Sequence, residues 1–292
     1  VAQIKLIWQS KLVLLLVLPF AAASVVLQGH FFAENLAQTA IWTLGLSLLL
    51  GLIVAQMRAA TPGGAFTGAV ITACLMFSTA SFPYQPWRTA LVPVMALFVL
   101  TWAGTRLGRK QKERLGTAER RQGRSAAQVA ANLGVAMLAC NDLAQSWLAG
   151  FGWFSRADQA PMLLFAVGLA ALAEATADTV SSEAGQALCG WPRLITTLRQ
   201  VEPGTNGAIS LAGTLAGVFA AGIVSGLGAL ALSGGAAMFW ISGAGALFGL
   251  FFDSLLGATL ERRGWLNNDA VNFLATASAA GFAMVMLAIR FH

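Results

Sequence analysis

The chain predicts an all-α polytopic membrane protein, a single integral membrane domain over residues 1–292 with about nine transmembrane helices, N-terminus cytoplasmic and C-terminus outside. Three observations carry this. Of the 292 residues, 57% are hydrophobic and only 10% charged, against roughly 25% charged in a soluble domain. Apolar runs near the ~20 residues needed to cross hydrocarbon recur from end to end. Lysine and arginine concentrate in alternate loops, as they do where short loops stay in the cytoplasm. The 31 glycines suit helices that approach closely in lipid.

The expected spans follow in order. The first, about 12–29, is carried by "KLVLLLVLPFAAASVVL". With Lys5 and Lys11 before it and "AAAS" inside it, this run has the outline of a signal peptide, but more spans follow at once. The second, about 36–57, contains "IWTLGLSLLLGLIVA", and the third, about 65–81, follows "TPGG". The fourth, about 90–105, is "LVPVMALFVLTWAG", and a basic cytoplasmic loop, 106–125, separates it from the fifth at about 126–150. The sixth, about 160–181, opens on "PMLLFAVGLAALA"; the seventh, eighth and ninth fall near 208–232, 236–257 and 269–289.

Charge placement checks the count. The basic loop holds eight Lys/Arg between Arg106 and Arg124. Setting it inside puts 15 of the basic residues inside and 3 (Arg88, Arg156, Arg290) outside. The net charge of +6 is then largely a topology signal, with anionic headgroups or a phosphorylated ligand as further takers. It calls for no nucleic acid. Localisation follows: an integral protein of the bacterial inner membrane. The two histidines, His30 and His292, stand outside the acidic region, which excludes chemistry needing a histidine base or phosphohistidine. Cys74, Cys140 and Cys189 show no ligand spacing.

Four polar segments share one boundary under this topology. "EATADTVSSEAG" places Glu174, Asp178 and Glu183 at the inner end of the sixth span. "VEPGTNGAISLAG" opens the seventh, Asp253 closes the eighth, and "NNDAVNFLAT" opens the ninth. A carboxylate in hydrocarbon is costly and marks function by default. At 100° per residue Asp178 lies about 40° from Glu174 and Ser181 about 20° the other way, so the three share a face. Glu183 points away, so either the helix breaks near Ser182 or Glu183 has its own partner. Asp269, Asn272, Phe273 and Thr276 share a face of the ninth helix; Asn268 sits off it.

Acids beside Asn and Ser/Thr suit a hard cation, and Mg²⁺ takes one or two carboxylates with water and substrate phosphates. The expected ligands are Glu174, Asp178, Asp253 and Asp269, with Glu183 beside them in the catalytic set. In "PGTNG", Pro203 and Gly204 make a turn and Gly207 lets backbone approach a ligand. Thr205 or Asn206 is placed to cap the seventh helix, whose N-terminus favours phosphate. Plainer readings stand beside these. Asp253 pairs with Arg262 or Arg263, Asp269 only answers the helix dipole, and Asp142 is a packed neighbour of Asn141.

"ADTVSSEAG", "PGTNGAISLAGTLAG", "DSLLGATLE" and "NNDAVNFLAT" resemble the membrane family that contains the plant phytyl-phosphate kinase of the vitamin E pathway, long filed as domain of unknown function 92. "GRSAAQVAANLGVA" resembles a further block, with Gln128 and Asn132 at matching positions, and "TPGGAFTGAVI" an early glycine block. The resemblance covers roughly residues 40–290. Ala208 stands where the family commonly has a second glycine, and Ala275 where Asn is usual. The resemblance implies a kinase that turns an isoprenoid (phytyl or prenyl) monophosphate into its diphosphate with a nucleoside triphosphate such as CTP. The nucleotide and phosphate ligands are then expected among Thr205, Asn206, Gly207, Arg193, Arg199, Arg124, Gln128, Asn132, Asn268 and Asn272, with Lys110 and Arg262 less favoured. A cytidylyltransferase would use the same groups to attack the α-phosphate. A transporter or lipid flippase would use the acids as a cation or proton site, although such sites lie near the midplane.

Overall fold

The structure, a computed structural model, describes residues 6–116, 123–141, 145, 160–188 and 191–291. Each of the nine expected segments contains a helix among the described residues: α1 (Ile7–Asn35), α2 (Ala37–Gln56), α3 (Pro62–Ser78), α4 (Leu91–Arg106), α6 (Ala126–Cys140), α7 (Ala160–Ala187), α8 (Leu211–Ala231), α9 (Gly235–Leu256) and α10 (Asn268–Phe291). By length and apolarity, six described helices can cross a membrane: α1, α2, α7, α8, α9 and α10. A seventh is gained if α4 is joined across a 63° bend to the short helix α5 (Arg109–Leu115). α3 and α6, at 17 and 15 residues, fall short of the ~20 a full crossing needs. Asp142, and most of the expected fifth span beyond Asn141, lie outside the described residues.

The basic segment expected as a loop folds in part. α4 ends at Arg106, and Gly108, with φ +60°, turns the chain into α5. α5 rests on the end of α7, close enough that a Cβ on Gly108 would stand 2.6 Å from the Cβ of Ala187.

α7 is the centre of the fold, packed against α4, α6, α8, α9 and α10. Its run of small residues explains why. Ala171, Ala173, Ala175 and Ala177 are buried and let five helices approach one axis, the small-residue packing expected in lipid. The starts of α3 and α6 lie side by side, joined by Thr61 N–H donating to the Arg124 carbonyl at 2.9 Å and Arg124 N–H donating to the Ala59 carbonyl at 3.0 Å. Each start is capped: Thr61 Oγ1 accepts from Gly64 N–H, and Ser125 forms a reciprocal box with Gln128. Between α7 and α8 a two-residue ribbon, β1 (Arg193–Leu194) with β2 (Ala208–Ile209), carries the "PGTNG" turn at its far end.

Candidate functional site

α7 supplies the first two acids. Glu174 is 1% exposed, and it fits only because α9 has no side chain opposite. A Cβ on Gly249 would stand 2.5 Å from Glu174 Cγ and 2.8 Å from Ala279 Cβ. One turn on, the Asp178 side chain is hydrogen-bonded to that of Asp253 on α9, and both lie within electrostatic reach of Glu174. Glu261, at the end of the π-helical turn Gly257–Glu261 that continues α9, also reaches Asp178. Two carboxyl groups in hydrogen-bond contact must hold a proton or a cation between them. Among the described residues, Glu174 Oε1 and Asp253 Oδ2 are buried with no hydrogen-bond partner.

The cation beside this group is Arg124, from the start of α6. Its guanidinium lies within electrostatic reach of Asp178 and donates through Nη2 to Thr179 Oγ1 at 3.2 Å. Among the described residues no three acid, His or Cys side chains converge closely enough to enclose a metal by themselves. Magnesium takes one or two carboxylates and completes its shell with water and substrate phosphates. Asp178 and Asp253, with their uncommitted neighbours, fit such a two-carboxylate platform.

The "PGTNG" turn reaches the same place by backbone. Gly207 has φ +75°, and a Cβ there would lie 2.2 Å from the Ala258 nitrogen, so only glycine lets the turn rest on the end of α9 between Asp253 and Glu261. The expected caps do not form. Ser210 caps α8, accepting from Gly213 N–H at 3.1 Å. Thr205 Oγ1 donates to the Glu202 carbonyl at 2.7 Å, and Asn206 is exposed. The reason is the ribbon: Ala208 and Ile209 are extended and delay the helix to Leu211.

The remaining expected residues separate. Glu183 has its own partner: α7 continues unbroken to Ala187, and Glu183 pairs with Lys112 of α5. Lys112 is 1% exposed and also donates to the carbonyls of Gly104 and Thr105. Arg193 and Arg199 are exposed on the ribbon, and Arg193 donates to the Leu198 carbonyl. Gln128 belongs to the cap of α6, its Oε1 accepting from Ser125 N–H. Asn132 is buried and accepts through Oδ1 from Asn272 Nδ2 at 3.1 Å, tying α6 to α10. Asn268 is exposed at the start of α10, with Asp269 in its first turn.

Several contributors escaped the sequence. Glu261 and Lys112 are two. Asn267 is a third: Oδ1 accepts from Ala270 N–H as the α10 cap, while Nδ2 donates to the Leu6 carbonyl and Ser10 Oγ. An Asn just before an acidic first turn is a helix-start signal. The largest omission is a cavity of about 320 Å³ between α2, α3, α4 and α6, with Arg124 and Asn132 in its wall.

The family model described as integral membrane protein DUF92 matches residues 45–280. An uncharacterized membrane protein of Synechocystis is 34% identical over 206 residues, covering 68% of this chain and 73% of that one. Another, from Methanocaldococcus jannaschii, is 41% identical over 108 residues, 37% of this chain and 45% of its own. Protein VTE6, chloroplastic, of Arabidopsis thaliana is 32% identical over 197 residues, 66% of this chain and 57% of its own. No solved structure matches.

Proposed function

The chain belongs to the integral membrane family DUF92, and from that membership we propose that it is a membrane isoprenoid-phosphate kinase, transferring the γ-phosphoryl group of a CTP-like nucleoside triphosphate to a prenyl or phytyl monophosphate. The observation that carries the reading is the junction of Arg124 with Asp178 and Asp253. It sets a phosphate-binding cation against a carboxylate pair, with a glycine turn on the same helix end. The family's plant kinase and the similarity to the chloroplast protein support the same reaction class.

The chemistry asks little of the side chains. An oxygen of the lipid monophosphate, already anionic, bonds to the γ-phosphorus as the bond to the β–γ bridging oxygen breaks. The nucleoside diphosphate leaves, and no base has to remove a proton. The demands are in-line placement and relief of repulsion between two polyanions. Arg124 would hold the incoming phosphate. The backbone of the Gly207 turn, with Thr205 and Asn206, would orient the nucleotide. Asp178 and Asp253, backed by Glu174 and Glu261, would hold Mg²⁺, which when bound neutralises the nucleotide's phosphates. The charge bias of the loops supports a cytoplasmic site, and a bacterial cytoplasmic membrane is the proposed location.

Purified protein with Mg²⁺, labelled nucleotides and a panel of prenyl monophosphates tests this. Nucleoside diphosphate and prenyl diphosphate are expected as products. Pyrophosphate with a cytidylylated lipid, or no turnover with any nucleotide, would overturn the kinase assignment.

A further inference from the structure

We infer that the chamber between α2, α3, α4 and α6 is the site for the apolar tail of a single-chain lipid monophosphate, with the headgroup held by the arginines at its mouth. The inference rests on the kinase reading for the fate of the phosphate, but not for its binding.

The chamber has a polarity gradient. Its mouth carries Arg58, Arg106, Arg109 and Arg124, while its shaft is mainly apolar, with Leu50, Val54, Leu97, Phe98 and Leu133 in the wall and Thr72, Thr101 and Asn132 as polar members among them. Among the described residues two carboxylates answer these four guanidiniums: Glu113 pairs with Arg109 at 3.1 Å, and Asp178 lies within electrostatic reach of Arg124. The described residues of the mouth therefore carry a net positive charge. The capped starts of α3 and α6 open at the same mouth and add the positive ends of two helix dipoles. Trp102, under the Arg106 guanidinium at 4.2 Å, leaves its indole N–H buried without a partner among the described residues, although such groups usually find one.

The dimensions suit a lipid chain. From Arg106 to Val94 the chamber follows about 18 Å of α4 at 1.5 Å per residue, more than half of the roughly 30 Å hydrocarbon core. α2 and α4, both in its wall, scarcely approach one another, and lateral entry from the bilayer would pass between them. A soluble anion would need no apolar shaft, and a neutral lipid would need no arginine mouth. A monophosphate on a hydrocarbon chain needs both, and Arg124 would then place its phosphate next to Asp178.

The test measures binding by thermal stabilisation of the purified protein, using prenyl monophosphates of one to four isoprene units, the matching alcohols and inorganic phosphate. The wild type should bind the four-unit phosphate more tightly than the one-unit phosphate. Gly68→Leu projects into the shaft, where a Cβ has room, its nearest neighbour being Val129 Cγ1 at 3.7 Å. Excluding about two methylene groups should weaken the four-unit ligand about tenfold and leave the one-unit ligand unchanged. If that variant does not fold, Phe98→Ala enlarges the shaft and should shift preference towards longer chains. Arg58→Gln with Arg109→Gln should weaken every phosphate and no alcohol. Affinity independent of chain length, or inorganic phosphate bound as tightly as the four-unit ligand, would overturn the chamber. Chain-selective binding without turnover keeps the chamber and removes the kinase; turnover with chain-independent binding does the reverse.

Discussion

Replacing Lys112 with Met tests the assignment of Glu183 to the scaffold. Lys112 is 1% exposed and its ammonium has three partners: Glu183 and the carbonyls of Gly104 and Thr105. Methionine keeps the volume and removes all three contacts. A carboxylate is left in a nearly closed site, and breaking a buried pair from one side costs about 3–5 kcal/mol. Two carbonyls at the end of α4 lose their donor as well. Removing both charges, with Lys112→Met and Glu183→Met together, replaces a buried pair by apolar side chains, which is often neutral or stabilising. The single variant should therefore melt well below the wild type, and the double variant should recover most of the loss. Thermal unfolding of the two singles, the double and the wild type in one detergent closes the cycle. If Glu183 were instead part of the reaction, Glu183→Met would melt normally and abolish turnover. That pair of results would refute the scaffold assignment.

Three further outcomes are expected. Asp178→Asn should abolish kinase turnover while the protein stays monodisperse on gel filtration; near-normal turnover at saturating Mg²⁺ would return Asp178 to a structural role. Gly249→Ala forces a methyl against Glu174 Cγ and Ala279 Cβ, an overpacking cost of about 1–3 kcal/mol partly offset by about 1 kcal/mol of helix propensity. Turnover should fall far more than the melting temperature does, and unchanged turnover would free Glu174 from any part in the site. Asn267→Ala should cost about 1 kcal/mol as a lost cap and should speed protease cleavage near residue 6, because the same side chain holds the Leu6 carbonyl and Ser10; unchanged proteolysis would contradict that strap.

Hydropathy is a local property, so the helices were readable one by one. Where a helix becomes too short to cross is a matter of neighbours. α3 and α6 start together at the Thr61–Arg124 pairing, and nothing local to "TPGG" or "GRSAAQ" announces that contact between residues 63 apart. Glu174, Asp178 and Asp253 were legible because an acid in hydrocarbon is too costly to be incidental. Glu261 was not, because in "TLERRG" it looks like a solvated charge at a helix end. On a straight helix it would stand about 80° from Asp253; the π-helical turn between them re-aims it towards Asp178, and π-bulges gather at functional sites. Helical angles did separate Glu183 from the shared face, but its partner lay hidden in a segment that reads as topology signal.

Arg58, Arg106, Arg109 and Arg124 belong to the proposed inner set, yet they form the mouth of a chamber, where function alone would place them. Their placement therefore says nothing by itself about orientation. Removing these four leaves 11 basic residues on the proposed inner side against 3 on the outer, so the bias survives without them. It also comes from separate places. Arg262 and Arg263 lie between α9 and α10, Arg193 and Arg199 between α7 and α8, and Lys11 in α1, whose start is strapped to the α9–α10 turn through Gln9 and Asn267. Labelling introduced cysteines at Gly116 and Thr197 from each side of sealed vesicles decides the matter without touching the chamber. Both should react from the cytoplasmic side, and reaction of either from the outer side would invert the proposed orientation and remove the nucleotide supply on which a kinase at this boundary depends.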